Sequence, residues 1–324
     1  LSARPENIRT IWFRAAVIIG AGGASYEMIR HIVQKSPMIP APRWVDTLTQ
    51  PIAVNDVIEY LARAKDIEID GDLIVDIGSE RMSFGDMLKQ TAGVYGLKRR
   101  IVKLPGFTPG IASYGLALVT PINYKMGRAL VEGLKSETVK QNDNASRYFA
   151  GIKPASFEDA VRAAVREMEQ DLVISTFCDA GGGEICELPN PDRIKDSVYI
   201  DEFTASMNGI EPGTLFRQIC GIGGPNRWFS FDFLWIIRGW MDKLMGGTGL
   251  TRWRRCITEL RPGDFFDFWR VVDVVPAKRL LLYAEFKLPG RGWLEFKIDN
   301  GHLIITLFFI PRGLAGRLYW HLFK

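Results

Sequence analysis

From Thr10 to Ile19 the chain reads TIWFRAAVII, almost without polar interruption, the pattern of a strand buried on both faces of a parallel sheet. A glycine cluster follows, and then a helical stretch from about Ser25 to Gln34. Val54 to Ala64 carries apolar residues at Val54, Val57, Ile58 and Leu61, the spacing of an amphipathic helix, with Asn55 or Asp56 in its first turn. Leu73 to Ile77 reads as a short buried strand, and Ser83 with Asp86 three residues on predicts a capped helix start. Pro105 to Gly110 breaks the rhythm, and Ser156 to Glu169 forms one more helical segment. Strands alternating with helices predict an α/β layer.

The period then changes. Val198 to Met207 reads as a strand, Pro212 to Ile219 as a short helix with proline at its start, and Leu234 to Met245 as an aromatic-rich helix. Four strands follow, roughly Phe265 to Val275, Arg279 to Leu288, Trp293 to Ile298 and Leu303 to Ile310, joined by short turns that specify an antiparallel meander. A closing helix from Arg312 to Phe323 carries leucines at 314, 318 and 322, an apolar stripe expected to face the sheet. Between the halves, residues 178–197 are rich in glycine, proline and charge. The predicted organisation is therefore a domain over 1–175, a linker over 176–197 and a second domain over 198–324.

A chain of 324 residues suits two cores, and 47% hydrophobic with 24% charged residues is ordinary globular composition. A net charge of +4 is too mild to imply nucleic acid. The loop Gly246 to Arg255 (GGTGLTRWRR) reads either as a solvated turn or as a phosphate or single-strand contact, without a second basic stripe to support the latter. Cys178, Cys186, Cys220 and Cys256 form no CxxC pair and His31, His302 and His321 are scattered, which predicts no metal site. Free thiols in a reducing cytoplasm are the expected state. No apolar run reaches the roughly 20 residues of a membrane-spanning helix, and the start LSARPENIRT lacks both an apolar signal core and an initiator Met, hinting at a cut start. The carboxylates Asp264 and Asp267, and Asp299 near Glu295, lack a nearby histidine and read as surface groups.

Gly20-Ala21-Gly22-Gly23-Ala24-Ser25, after a strand and before a helix, imitates a dinucleotide-binding loop. That motif needs a second central strand ending in an acidic residue, whereas SPMIPAPR at 36–43 holds three prolines, so Asp46 has no strand to end. Residues 8–66, with FRAAVIIG and TQPIAVNDVIEYLARA, resemble the later part of an extended or atypical short-chain dehydrogenase/reductase. VDIGSERMSFGDML at 75–88 looks like the strand and helix that follow. LVTPINYKMGRALVEGLKSE at 118–137 is similar to the YbjT-like NAD(P)-binding proteins, which carry a C-terminal domain of unknown function.

The resemblance implies a fold class: an α/β, partial Rossmann-like domain followed by an α+β START-like helix-grip domain. It implies NAD or NADP as cofactor, with contacts at Arg14, Ala15, Ala16 and Val17, where related enzymes approach the nicotinamide. The family's phosphate-binding glycines and Tyr-x-x-x-Lys pair lie upstream of the first strand present here, so no catalytic residue is assigned. Tyr26 with Arg30 has the dyad spacing, but arginine does not replace the lysine. The expected function is that of an NAD(P)-binding oxidoreductase-like protein, incomplete as given, with a small-molecule substrate. The alternative is a hydrophobic ligand held without redox chemistry in a START-like pocket lined by Trp269, Tyr283, Phe296, Leu307, Leu314 and Leu318, residues that read equally as a solid core. An open edge and apolar face over 1–170 also predict self-association.

Overall fold

The computed structural model describes residues 9–104, 110, 112–113, 115–116, 120, 124–170, 172–177, 197–228, 232–244, 249–250, 254–256, 258–285 and 289–323. The chain forms two compact units, Leu1–Gln170 and Asp171–Lys324.

In the first unit strands and helices alternate: β1 (Ile11–Ala15), β2 (Ile18–Ile19), α1 (Ala24–Lys35), β3 (Met38–Ala41), a 3-10 turn (Arg43–Asp46), β4 (Leu48–Thr49), β5 (Ile52–Ala53), α2 (Val54–Ala64), β6 (Leu73–Ile77), β7 (Met82–Ser83), α3 (Phe84–Val94), β8 (Arg100–Lys103), α4 (Tyr124–Gly133), α5 (Asn144–Tyr148) and α6 (Phe157–Glu169). The pairs β1–β6, β2–β5 and β3–β8 are parallel, and β4–β7 is antiparallel. Ser83 caps α3 through a reciprocal box with Asp86, and Ser156 caps α6 by accepting from the Asp159 amide. Such caps contribute about 1 kcal/mol each.

One expectation changes here. The long apolar run is not one strand buried on both faces: it breaks at Ala16–Val17, and Trp12, Arg14 and Ala15 are exposed. Among the described residues β1 has one strand partner, and its inner side chains, Ile11 and Phe13, reach a core, where Phe13 packs edge-on against Phe149 and tilted against Tyr60. The proline-rich stretch forms a parallel strand, but not the central one that the dinucleotide motif needs. β3 pairs β8 with Pro40 opposite Val102. Proline fits because this sheet has two strands and no central position, and the pair stands apart from β1 and β2.

Among the described residues the second unit holds one six-stranded antiparallel sheet and three α-helices: β9 (Tyr199–Ser206), α7 (Pro212–Cys220), α8 (Asp232–Leu244), β10 (Phe265–Phe266), β11 (Trp269–Val275), β12 (Arg279–Ala284), β13 (Gly290–Asp299), β14 (His302–Pro311) and α9 (Gly313–Phe323). The strand order is β10-β11-β12-β13-β14-β9. The expected strand over 265–275 is interrupted at Asp267, which takes a positive φ of 53° and turns the chain between β10 and β11. Phe266, Phe268, Trp269, Val271, Leu280, Leu282 and Phe296 form the main core with Phe216 and Ile219 of α7. Trp293, Leu281 and Val272 form a smaller cluster on the opposite face.

The stripe on the closing helix is reversed from expectation. Leu314, Leu318 and Leu322 are 78%, 64% and 75% exposed. Trp320 faces the sheet instead, stacked on Phe309 at 5.7 Å and on Tyr199 at 5.4 Å. Gly316 sits where a Cβ would lie 2.3 Å from the Pro289 carbonyl, so the helix approaches along its glycine side.

Candidate functional site

Parallel strands in an α/β layer direct the loops after their carboxyl ends to one side, where such layers bind ligands. β1 and β6 run in register from Ile11 opposite Leu73 to Ala15 opposite Ile77, so the loops after Ala15 and Ile77 leave together. At the last turn of the ladder Arg14 faces Asp76 and binds it with two bonds of 2.6 and 3.0 Å. Asp76 also accepts from the Gln141 amide at 2.7 Å. Burial pushes the Asp76 carboxyl up, but Arg14 and Gln141 outweigh it and hold the group below the usual aspartate range.

The segment around 138–144 crosses these strand ends. Asn142 Oδ1 accepts from the Asp76 amide, and Asn144 Nδ2 donates to the Ile74 carbonyl, so side-chain amides cover the free edge of β6. Gln50 joins three pieces of chain: its Oε1 accepts from the Lys140 amide at 2.8 Å, and its Nε2 donates to the Ser79 carbonyl at 2.8 Å. Gly78 permits this, because a Cβ there would lie 2.9 Å from Gln50 Cβ.

Beside these loops opens a cleft of about 420 Å³, lined by Gly78, Ser79, Glu80, Lys140, Ser146 and Tyr60 among others. Lys140 Nζ donates to the Gly78 carbonyl at 3.4 Å, and Glu80 accepts from the Phe157 amide at the start of α6. Among the described residues the walls offer an ammonium, serine hydroxyls and a carboxylate, with no histidine or cysteine. That set binds and orients a polar molecule. None of Gln50, Asp76, Ser79 or Lys140 stood out in the sequence, although GSE at 78–80 directly follows the short buried strand predicted over Leu73 to Ile77.

Arg14, Ala15, Ala16 and Val17 lie at the end of β1 and in the break before β2. Arg14 is committed to Asp76, and the Val17 carbonyl accepts from the Ile52 amide at 2.9 Å. The glycine cluster does not fit a dinucleotide phosphate. A Cβ on Gly20 would lie 2.5 Å from Val54, so this glycine serves close packing against α2, and Gly22 takes the positive φ of the turn. The first turn of α1 carries Glu27, fully buried and bound by Arg30, an unfavourable neighbour for phosphate. Tyr26 shares a hydrogen bond with Tyr95 at 2.9 Å while Arg30 binds Glu27, so the pair at dyad spacing serves two separate contacts.

In the second unit the residues expected to line a pocket divide. Trp269 and Phe296 are buried in the main core, Tyr283 packs with Trp293 on the other sheet face, and Leu307 is half-buried. Leu314 and Leu318 point outward, a correction that follows from the anchoring by Trp320. Asp264 and Asp267 are also corrected, since both are buried. Asp264 binds Arg255 with two 3.0 Å bonds, and Asp267 accepts from the Trp228 indole at 2.7 Å. Arg254 donates to the Ile222 and Cys220 carbonyls, so both described arginines of the 246–255 loop are used internally. Asp299, half-buried, takes Lys297, and Glu295 takes Arg279. Cys220 and Cys256 are free and buried, and burial raises the Cys220 thiol to about 11. The other two cysteines, and the 105–109 stretch, lie outside the described residues. Among the described residues no cluster suits a metal ion, and no helix is long and apolar enough to cross a membrane.

None of the curated proteins matches the chain. Solved structures similar to it include gox2253, at 19% identity over 49% of each chain with a TM-score of 0.34. Another is a Citrobacter triphenylmethane reductase, at 14% identity over 49% of this chain and 54% of that one, TM-score 0.39. A third is a Bacillus cereus UDP-glucuronic acid 4-epimerase in complex with NAD, at 15% identity over 49% and 44%, TM-score 0.33. The chain spans about half the length of these structures. At such scores they add no weight to the fold, which rests on the strand pairing described above. Residues 193–324, less than half of the chain, match the model of a family described as a protein of unknown function, DUF2867.

Proposed function

We propose that the first unit is the nicotinamide-side half of an NAD(P)-linked, oxidoreductase-like domain of the short-chain dehydrogenase type. The observation that carries this reading is the common exit of the parallel strands β1 and β6 beside a polar cleft. Ala15, exposed, and Ala16, half-buried, are the small residues at that exit, and Val17 follows them in the chain. Nicotinamide, when bound, supplies hydride transfer. The chain's own part is to hold the ring's edge with Arg14 to Val17 while Arg14 stays fixed by Asp76, and to orient a polar substrate with Ser79 and Lys140. The phosphate-binding and proton-transferring groups of such an enzyme are not among these residues.

The strand order of the second unit, with its first strand beside its last and a closing helix on top, supports the START-like helix-grip reading. A hydrophobic ligand held there gains no support from the scattered positions of the six residues. The exposed Trp12 and Ile74, opposite one another on β1 and β6, support self-association. A cytoplasmic setting accords with the buried free thiols.

Saturation-transfer NMR of the full chain with NADH and with NADPH tests the leading reading. The expected result is binding weaker than about micromolar, with transfer concentrated on the nicotinamide protons and lost in Ala16→Trp. Binding at micromolar or tighter, transfer centred on the adenine, or no transfer at millimolar cofactor would each overturn it.

A further inference from the structure

In the second unit α8 and α9 meet through one contact of charge with ring: the Arg238 guanidinium of α8 stands over the Tyr319 ring of α9, 5.0 Å from its centre. Each helix seats one side on the rest of the unit. Trp235 of α8 packs against the main core, and a Cβ on Gly239 would lie 2.5 Å from Leu250 Cβ. Gly316 and Trp320 seat α9 in the same way. The side left over is apolar on both helices. Leu234, Ile237, Trp240 and Met241 of α8 are 42–68% exposed, and the leucine stripe of α9 is 64–78% exposed. Leu234 and Met241 stand four residues before and three after Arg238, and Leu322 stands three after Tyr319, so the two stripes adjoin along the seam that this pair closes.

A continuous apolar surface of this kind marks contact with a protein or a membrane, and charge decides between them. α9 contains no acidic residue. Of the acids of α8, Asp242 is buried and accepts from the Gly249 amide, and Asp232 is half-buried and accepts from the Trp228 amide. Arg317, three residues after Leu314, stands beside the leucine stripe, and Arg312 directly precedes the helix. Both are exposed and form no ion pair among the described residues. In a symmetric pair of copies this surface would meet itself, and its arginines would find no exposed carboxylate on either helix. An anionic bilayer offers hydrocarbon to the stripes and phosphate to the arginines, and an indole such as that of Trp240 suits the boundary between the two.

We infer that the α8–α9 face is a docking surface for an anionic phospholipid bilayer. The helices lie in the plane of the interface, with their leucines and isoleucine toward the acyl chains, Trp240 at the headgroup level, and Arg312 and Arg317 on lipid phosphates. Neither helix crosses the bilayer, since 13 and 11 residues fall far short of the roughly 20 that a span needs. The surface uses no residue of the first unit and is independent of the NAD(P) reading.

Flotation of the full chain with phosphatidylcholine vesicles, and with vesicles that mix phosphatidylcholine and phosphatidylglycerol, tests this. Binding to the mixed vesicles is expected, with binding to phosphatidylcholine alone weaker by about tenfold or more. Arg317→Gln should weaken the mixed-vesicle binding about fivefold. Leu318→Asp combined with Trp240→Ser should abolish it while the chain still melts cooperatively, because both side chains are exposed. Bromine-labelled acyl chains should quench the tryptophan fluorescence of the natural chain, and the conservative Trp240→Phe should lose much of that quenching. Absence of flotation with the mixed vesicles overturns the inference, as does flotation that the double variant leaves unchanged or quenching that Trp240→Phe leaves unchanged. Equal affinity for the two vesicle types overturns the choice of an anionic surface. A dimer in sedimentation equilibrium that the double variant dissociates, in a chain that does not float, assigns the face to a second copy instead.

Discussion

In the second unit buried charges such as Arg255 and Asp264 close on one another, whereas in the first, besides the buried Glu27–Arg30 pair, charged groups line a cleft. Arg255 and Asp264 satisfy each other inside the antiparallel domain, and Arg270 and Glu285 form a further pair. Arg254 spends its donors on two carbonyls. These charges hold a turn-rich connection onto a sheet whose core faces are aromatic and aliphatic. In the first unit Asp76 and Lys140 bind backbone groups at the exits of parallel strands, and Lys140 and Glu80 line open space. The difference follows from topology. An antiparallel meander turns back within a few residues and pairs its own polar groups, while parallel strands send their connections past a common end and leave polar groups there to meet a ligand.

The contrast is broken most severely by removing one member of a closed pair. Asp264→Ala removes the two bonds that Asp264 makes with the buried Arg255, and unfolding by urea should show a loss of about 3–5 kcal/mol; replacing both residues by leucine and methionine should recover most of it. A loss below about 1 kcal/mol would mean that the pair is solvated. Trp320→Ala removes the ring between Phe309 and Tyr199 and should cost about 3 kcal/mol, against about 0.5 kcal/mol or less for the outward Leu318→Ala. Equal costs would show that the closing helix is turned the other way. In the first unit, Ser83→Ala should cost about 1 kcal/mol through the lost cap of α3.

The subtlest effect separates two buried carboxylates of the first unit. Burial raises Glu27 despite Arg30, so the folded state keeps a proton that the unfolded chain releases near 4.5, and stability falls as pH rises from there through the raised value. Asp76 is lowered, so its contribution is complete above about 3.8 and is lost as pH falls through the folded value. Urea midpoints across pH should therefore lose their decline on the higher side in Glu27→Gln and their acid decline in Asp76→Asn. Unchanged pH profiles in both variants would remove these two groups from the linkage.

Much of the element map was legible because it is local. Val54 to Ala64 and Leu73 to Ile77 match α2 and β6 residue for residue, since periodicity and the flanking turn residues act within a few positions. The cap at Ser83 was readable for the same reason. The candidate site was far less so: of its residues only Arg14 to Val17 were named beforehand, and those through a family resemblance. Gln50 and the Lys140 amide meet across 90 positions of chain, and Asp76 and the Gln141 amide across 65, separations at which pattern carries no signal.

Residue order alone was enough to set the switch from strand–helix alternation to an antiparallel meander, the capped helices and the absence of a long apolar helix among the described residues, because each depends on composition over a short window. Which side of an element is inside was settled only by the assembled fold. The run at Thr10 to Ile19 looked buried, and the leucines of the closing helix looked inward, yet β1 has one neighbour and α9 is seated by Trp320 and Gly316. Asp264 and Asp267 looked exposed until Arg255 and Trp228 met them. An apolar or charged side chain states what partner it needs, and only tertiary packing decides whether that partner arrives.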